Sequence, residues 1–320
     1  MIKVQNLTKI YKTPIKGKSF LSDIFNRQYQ ENIALNKISF EIAENELVGF
    51  IGPNGAGKTT TLKILSGILY PTSGTVNVLG FTPFEKRGAF LKQISFVMGQ
   101  RNQLIWDLPA GDSLNLNKEI YEINEADFKK RVDELSGLLN CRDLFDQPVK
   151  TLSLGERMKM ELIAALLHRP KIVFFDEPTI GLDIFSQEII RYFIRDYQRQ
   201  YKATIILTSH YLEDVKRLAK RLMIIDRGKI LYDGSLKTII EEYSKEKKIR
   251  VYLERQVDPA LINAIGRPIA YEFPKVVFII KKEDLPEKIK LITKTLPFTD
   301  LTVEDEKIER IIKNFFKTVS

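Results

Sequence analysis

The run Gly52-Pro53-Asn54-Gly55-Ala56-Gly57-Lys58-Thr59 has the spacing G-x-x-x-x-G-K-T, and its residue types suit the handling of phosphate. Glycines let the backbone curl so that successive N–H groups face one anion, and a helix starting where the loop ends adds the positive end of its dipole. Lys58 is placed to reach the β- and γ-phosphates of a nucleoside triphosphate. The Thr59 hydroxyl suits one position of Mg²⁺, a hard ion that keeps oxygen ligands, and Thr60 continues the phosphate-facing run. Far along the chain, the hydrophobic run Lys171 to Phe175 ends in Asp176-Glu177. Two carboxylates there divide the work: Asp176 holds Mg²⁺ through water, and Glu177 orients and deprotonates the attacking water. One such base commonly contributes about 10²- to 10⁴-fold in rate.

These residues need a scaffold, and the pattern supplies one. Leu47 to Ile51 reads as a strand feeding the phosphate loop, and Thr60 to Leu69 as the apolar helix leaving it. Strand, loop and helix are the context that the G-x-x-x-x-G-K-T pattern requires. Further β-branched runs at Ile2 to Val4, Ile38 to Ile42, Thr75 to Val78, Ile94 to Val97, Ile172 to Phe175, Thr204 to Thr208 and Arg221 to Asp226 alternate with helical stretches. That alternation predicts an α/β domain with Asp176-Glu177 at the carboxyl edge of a parallel sheet, beside the loop. Between Asp107 and Val149 the chain is polar and helical, with Leu135, Leu138 and Leu139 at helical spacing, which predicts a helical subdomain over about residues 101–165.

Past Gly234 the character changes. A Lys/Glu-rich helix from Leu236 to about Lys247 leads into strand-like Ile249 to Leu253 and Val276 to Ile280, with helices around Asp284 to Thr295 and Asp305 to Lys317. The expected division is therefore residues 1–240 and a small α+β domain at 245–320, which carries no catalytic constellation. Residues 13–32 look like an insertion, rich in Lys16, Lys18, Arg27, Phe20, Phe25 and Tyr29. A surface loop or short amphipathic helix is expected there, with contact to a membrane partner or lipid headgroups as the functional alternative.

Composition bounds the rest. Apolar residues at 44% and charged residues at 28% fit a chain that folds. Its apolar runs fall far short of the roughly 20 residues that cross a bilayer. No secretory signal is expected behind Met1-Ile2-Lys3, so the predicted location is cytoplasmic. The net charge of +9 is compatible with nucleic acid, an anionic membrane face or a plain basic surface. The lone Cys141 reads as a small buried apolar residue.

Upstream of Lys171 stands Leu152-Ser153-Leu154-Gly155-Glu156, opening the helix Arg157 to His168. It resembles the Leu-Ser-Gly-Gly-Gln signature of ABC ATPases, departing from it at Leu154 and Glu156. Three more segments resemble that family in its order: Ile94 to Gln100, Gly181-Leu182-Asp183 and Thr208-Ser209-His210. The resemblance covers about residues 1–235 and implies a P-loop NTPase with a RecA-like core, an antiparallel β subdomain and a helical subdomain. It implies that Ser153 and the N–H of Gly155 contact the γ-phosphate held by a second subunit, and that Gln100 touches Mg²⁺ and the attacking water. Gln103 is the alternative, because Gly99 blurs the register. It further implies that Asp183 lies in a loop with contacts across the dimer and that His210 contacts the γ-phosphate. The other histidine, His168, reads as a core residue. Leu7 to Tyr11 resembles the segment whose aromatic ring stacks on adenine, making Tyr11 the candidate.

The resemblance implies ATP and Mg²⁺ as cofactors and ATP-driven closure of a head-to-tail dimer, a homodimer or a heterodimer. It also implies separately encoded membrane permease subunits and a place on the inner face of the cell membrane. The run Gln100 to Pro109, the 13–32 insertion and the appended domain resemble the export branch. A soluble ABC ATPase acting on the ribosome or nucleic acid is the rival. The single phosphate loop and the lack of a sustained heptad run disfavour it, so no direct nucleic-acid contact is expected.

Overall fold

A computed structural model of the chain describes residues 1–15, 29–99 and 102–319. By contacts these form two compact units, Met1–Ser235 and Leu236–Ser320.

In chain order the first unit contains β1 (Ile2–Pro14), β2 (Tyr29–Ile42), β3 (Leu47–Ile51), α1 (Lys58–Leu65), β4 (Ser73–Val78), β5 (Ile94–Met98), α2 (Ala110–Ile120) and α3 (Glu125–Leu139). It continues with α4 (Leu154–Leu166), β6 (Ile172–Asp176), α5 (Ile184–Tyr201), β7 (Thr204–Thr208), α6 (Leu212–Leu218), β8 (Arg221–Asp226) and β9 (Lys229–Ser235). Two sheets result. One is antiparallel, in the order β2-β1-β4; the other runs β5-β6-β7-β3-β8-β9, parallel except for β9 at its edge.

The larger sheet is covered on both faces, and its side chains alternate accordingly. Ile172 and Phe174 of β6, with Ile206 of β7, join Ile2, Val4, Phe40 and Val76 of the antiparallel sheet in one core. Val173, Phe175, Ile205 and Leu207 point the other way, into a core shared with Leu114, Leu135, Leu139 and Leu162 of the helical region. Burying one such side chain contributes about 1.5 to 3 kcal/mol, so a continuous apolar run at β6 is what a strand packed on both faces requires. Cys141 is buried in the helical-side core, where burial pushes its thiol up to about 11.

The expectation of a loop or short helix over residues 13–32 fails at its described ends. β1 and β2 stay paired out to Thr13↔Gln30 and Pro14↔Tyr29. Ile10 pairs with Ile33 and Tyr11 with Asn32, β-branched and aromatic types that suit a ladder, and Lys12 faces Glu31 across it, 3.1 Å between charges. Lys16, Lys18, Phe20, Phe25 and Arg27 lie outside the described residues.

The second unit is a four-stranded antiparallel sheet with helices. Its elements are α7 (Leu236–Tyr243), β10 (Glu246–Leu253), α8 (Pro259–Ile265), β11 (Ala270–Glu272), β12 (Lys275–Lys281), α9 (Leu285–Thr295), β13 (Phe298–Asp305) and α10 (Ile308–Val319). Ile249, Val251, Val276, Phe278 and Ile292 form its core. The helix expected to reach Lys247 stops at Tyr243, because Glu246-Lys247-Lys248 enters the ladder and pairs with Lys281, Ile280 and Ile279.

Candidate functional site

β3 lies in the middle of the parallel sheet, between β7 and β8, and ends in the phosphate loop. Gly52 runs so close to β8 that a Cβ there would sit 2.1 Å from the Ile225 carbonyl oxygen. Gly57 caps α1 at φ 113°, and a Cβ on it would meet the Ala34 carbonyl oxygen at 2.6 Å. Neither position tolerates a side chain, so the loop is pressed into a curl that leaves its amides available to an anion. Lys58 is buried, and its Nζ donates to the carbonyls of Gly52 (2.7 Å) and Pro53 (3.0 Å). Burial lowers its pKa, while Glu177 and Asp176 draw it back up.

The pairing of β6 with β7 sets Asp176 opposite Thr208. The Thr208 hydroxyl donates to Asp176 Oδ1 (2.7 Å), which also accepts from the Thr59 hydroxyl (3.1 Å). The Glu177 N–H donates to the Thr208 carbonyl and is 3.1 Å from the Thr208 hydroxyl as well. Glu177 itself sits at φ 57°. A non-glycine residue in that left-handed region is held there by its surroundings, and such residues concentrate at functional sites. His210 Nε2 lies 2.8 Å from Glu177 Oε1. Loop lysine, threonine hydroxyl, two carboxylates and histidine therefore gather at the carboxyl ends of β3, β6 and β7.

The Glu177 carboxyl has a raised pKa, first through burial and also through the charge of Asp176, with His210 and Lys58 acting against it. A raised pKa means that the base loses its charge sooner as pH falls. The acid limb of kcat/KM for ATP hydrolysis, which reports the free enzyme, should therefore lie above the ordinary Glu range near 4.3. A kcat/KM profile whose acid limb sits at or below that value would contradict the assignment.

Tyr11 stands in β1 with its hydroxyl 3.4 Å from Thr60 Oγ1, at the start of α1, and is 39% exposed. Lys9 Nζ lies over its ring, 5.3 Å from the centroid; stacking of a base on such a ring contributes about 1 to 3 kcal/mol. Gln100 lies outside the described residues. Gln103, the alternative, directs its side-chain amide to the Phe96 carbonyl (2.8 Å), while its backbone N–H donates to the Glu161 carboxylate (2.8 Å). His168 is stacked on Tyr121 with ring centroids 3.8 Å apart and bonds the Ile94 carbonyl at 2.9 Å; burial lowers it to about 4.

Ser153 and Gly155 belong to a different edge. Ser153 caps α4 in a reciprocal arrangement: its hydroxyl accepts the Glu156 N–H (3.3 Å), and its own N–H (2.9 Å) and hydroxyl (2.7 Å) donate to Glu156 Oε2. The Ser-x-x-Glu spacing is the signature of a capping box. These bonds hold the Glu156 pKa down. Gly155 packs on α5, where a Cβ would meet Ser186 Oγ at 2.5 Å. Asp183 caps the same helix, accepting the N–H groups of Phe185 (2.9 Å) and Ser186 (3.0 Å). The signature thus groups with the loop at Gly181 to Ser186. Ile184 and Phe185 stand 75% and 79% exposed beside it.

Among the described residues no group of three or more His, Cys, Asp or Glu side chains could hold a metal by itself. Thr59 Oγ1 and Asp176 Oδ1 are hard oxygen donors 3.1 Å apart, which fits Mg²⁺ held mainly by phosphate and water.

A parallel sheet with this loop, these carboxylates and a strand-end histidine on one edge defines a P-loop nucleoside triphosphatase. Comparison with known proteins sharpens the class. A family model described as ABC transporter matches residues 35–180. The chain is 34% identical over 224 residues to the ABC transporter ATP-binding protein NatA of Bacillus subtilis, covering 70% of this chain and 91% of that protein. It is 31% identical to the energy-coupling factor transporter ATP-binding protein EcfA2 of Clostridium perfringens, over 78% of this chain and 84% of that one. It is 32% identical to the Nod factor export ATP-binding protein I of Paraburkholderia xenovorans, over 68% and 71%. In fold it matches a dimeric, post-hydrolysis ATP-binding cassette bound to ADP and phosphate, with TM-score 0.62, 24% identity, and 74% and 99% of the two chains covered. The chain belongs to the ABC transporter ATP-binding proteins: it is an ATPase and an ATP-binding subunit of a transporter.

Proposed function

We propose that this subunit powers export, working as a dimer that closes on two ATP molecules beneath separately encoded membrane subunits, on the inner face of the cell membrane. The unit Met1–Ser235 is the motor and Leu236–Ser320 an accessory domain. The observation that carries the hydrolytic reading is the Glu177–His210 pair, 2.8 Å apart, at the same sheet edge as Lys58, Thr59 and Asp176.

In this reading the amides of Gly52 to Thr60 and the Lys58 ammonium bind the β- and γ-phosphates, and Tyr11 stacks on adenine. Thr59, Asp176 and Gln100 would hold Mg²⁺, which when bound would supply neutralisation of the phosphate charge. Glu177 takes the proton of the attacking water, and His210 keeps the Glu177 carboxylate aimed and contacts the γ-phosphate. Ser153 and the Gly155 N–H complete the site from the second copy, where the start of α4 favours an anion. A homodimer would carry two competent sites.

A groove of about 470 Å³, lined by Ile68, Leu91, Phe96, Gln103, Ile120 and Tyr121, supports docking of a membrane subunit. Ile68, Leu91 and Ile120 are exposed there, an apolar surface of the kind that partners cover. Among the described residues no helix is long and apolar enough to cross a membrane. The name of the Paraburkholderia relative supports export, whereas that of the Clostridium relative does not specify it.

The test is purification from detergent-solubilised membranes, followed by mass spectrometry and ATP-driven flux in inside-out vesicles. An integral membrane protein should accompany the chain, with flux into the vesicles. Recovery with ribosomes or nucleic acid and no integral membrane protein would overturn the transport reading, and flux out of the vesicles would overturn its direction.

A further inference from the structure

Behind the site lies a buried polar hub that the chemistry above does not use. Asp214, in the first turn of α6, is 0% exposed. Its Oδ2 accepts the hydroxyls of Thr179 (2.5 Å) and Ser209 (2.6 Å), and its Oδ1 accepts Arg191 Nε (2.5 Å). Arg191 is buried too, and its Nη2 donates to Gln187 Oε1 (2.8 Å). Gln187 Nε2 in turn donates to the Leu182 carbonyl (3.0 Å).

A buried ion pair is weak evidence of stabilisation, because apolar residues of similar volume often serve as well. The significance here lies in where the hub attaches. Ser209 immediately precedes His210, Thr179 stands two residues after Glu177, and Leu182 immediately precedes Asp183. One carboxylate therefore ties together the segments that carry the base, the histidine and the loop before α5. These segments are irregular, without a ladder to fix them, and in a low-dielectric interior hydrogen bonds to a charged acceptor are stiff and directional.

We propose that Asp214 is a positioning residue for ATP hydrolysis. By binding Thr179 and Ser209 together it keeps His210 at hydrogen-bond distance from Glu177, and through Arg191 and Gln187 it sets the backbone at Leu182. The proposal rests on Glu177 and His210 being the groups that act on the attacking water.

Asp214→Asn tests it in the full chain. The amide removes the charge and replaces one accepting oxygen by a donor, so either both hydroxyls must turn to accept from it or the guanidinium loses its acceptor, and the charge-assisted three-way tie is weakened. In the folded variant, kcat at saturating ATP should fall about tenfold or more, since small misplacements of reacting groups carry costs of that order, while KM for ATP stays within about twofold. The chain has two histidines, so the ring NMR signals of His210 can be assigned against His210→Ala; they should shift in Asp214→Asn while those of His168 do not. An unchanged kcat, a loss lying wholly in KM, or an unshifted His210 ring would overturn the proposal. If Asp214→Asn does not fold, Thr179→Val and Ser209→Ala each remove one hydroxyl from the hub and carry the same expectations and the same refutations. Glu177→Gln run alongside separates the two levels. If it keeps turnover, the site reading fails; if it is inactive while Asp214→Asn is normal, only this inference fails.

Discussion

Glu177→Gln should bind ATP at least as well as the wild type and lose nearly all turnover. Glutamine has the shape of glutamate, its oxygen can still accept from His210, and the backbone bond from position 177 to Thr208 does not involve the side chain. The left-handed φ of 57° at this position suits neither residue better than the other. What disappears is the ability to take a proton from water, which removes about 10²- to 10⁴-fold in rate. One negative charge also leaves the neighbourhood of Asp176, which eases the approach of a triphosphate. Because burial raises the Glu177 pKa, its charged form is disfavoured in the folded protein. The stability linked to its proton is present at low pH and lost as pH rises through the folded pKa, so at neutral pH the amide should leave Tm unchanged or raised. With binding intact and hydrolysis blocked, ATP should drive accumulation of a closed dimer, visible as a shift to twice the mass on size-exclusion chromatography. Turnover near the wild-type rate would remove Glu177 from its role, and loss of ATP binding would show that the substitution had damaged the loop instead.

This expectation depends on groups that local sequence pattern shows unequally well. The strands that hold the site are plain in the chain because both of their faces are buried: Ile172-Val173-Phe174-Phe175 has no polar alternative to offer a solvent face. β9 and β13 lack that signal. Lys229 to Ser235 is an edge strand with half-buried side chains, and Phe298 to Asp305 is acidic enough to read as a loop. Within the site, Lys58, Thr59, Asp176, Glu177 and His210 are visible as a spaced set, and folding brings them to one sheet edge.

Thr208 is different. A threonine at the end of a β-branched run looks like ordinary strand composition, and only the register of β6 against β7 turns its hydroxyl toward Asp176. Asp214 is harder still. In Glu213-Asp214 on a short amphipathic helix it resembles a solvated charge, and its burial depends on Arg191, 23 positions away. Glu156 carried a readable clue, the Ser-x-x-Glu spacing of a capping box, which accounts for its presence where a phosphate-facing residue would be costly.

Lys58→Ala should act on the opposite half of the site, weakening ATP binding. In the nucleotide-free protein the ammonium closes the loop on itself through the Gly52 and Pro53 carbonyls. In the proposed reading those bonds give way to phosphate contacts when ATP enters, the loop being already shaped around a cation at that position. Charge-assisted hydrogen bonds contribute about 1.5 to 3 kcal/mol each, which corresponds to roughly 10- to 100-fold in affinity. Removing Lys58 also leaves Asp176 and Glu177 facing the phosphate region without the cation that offsets them. Glu177 loses one of the two charges that hold its pKa down, so the base should be protonated up to a still higher pH. The two effects separate by experiment. Titration calorimetry with ATP should show the loss of affinity directly, and at ATP concentrations high enough to restore occupancy the acid limb of the residual activity should move upward. Calorimetric affinity equal to that of the wild type would mean that this loop does not grip the phosphates through Lys58. A restored occupancy with an unmoved acid limb would mean that the lysine and the carboxylate do not sense each other across the site.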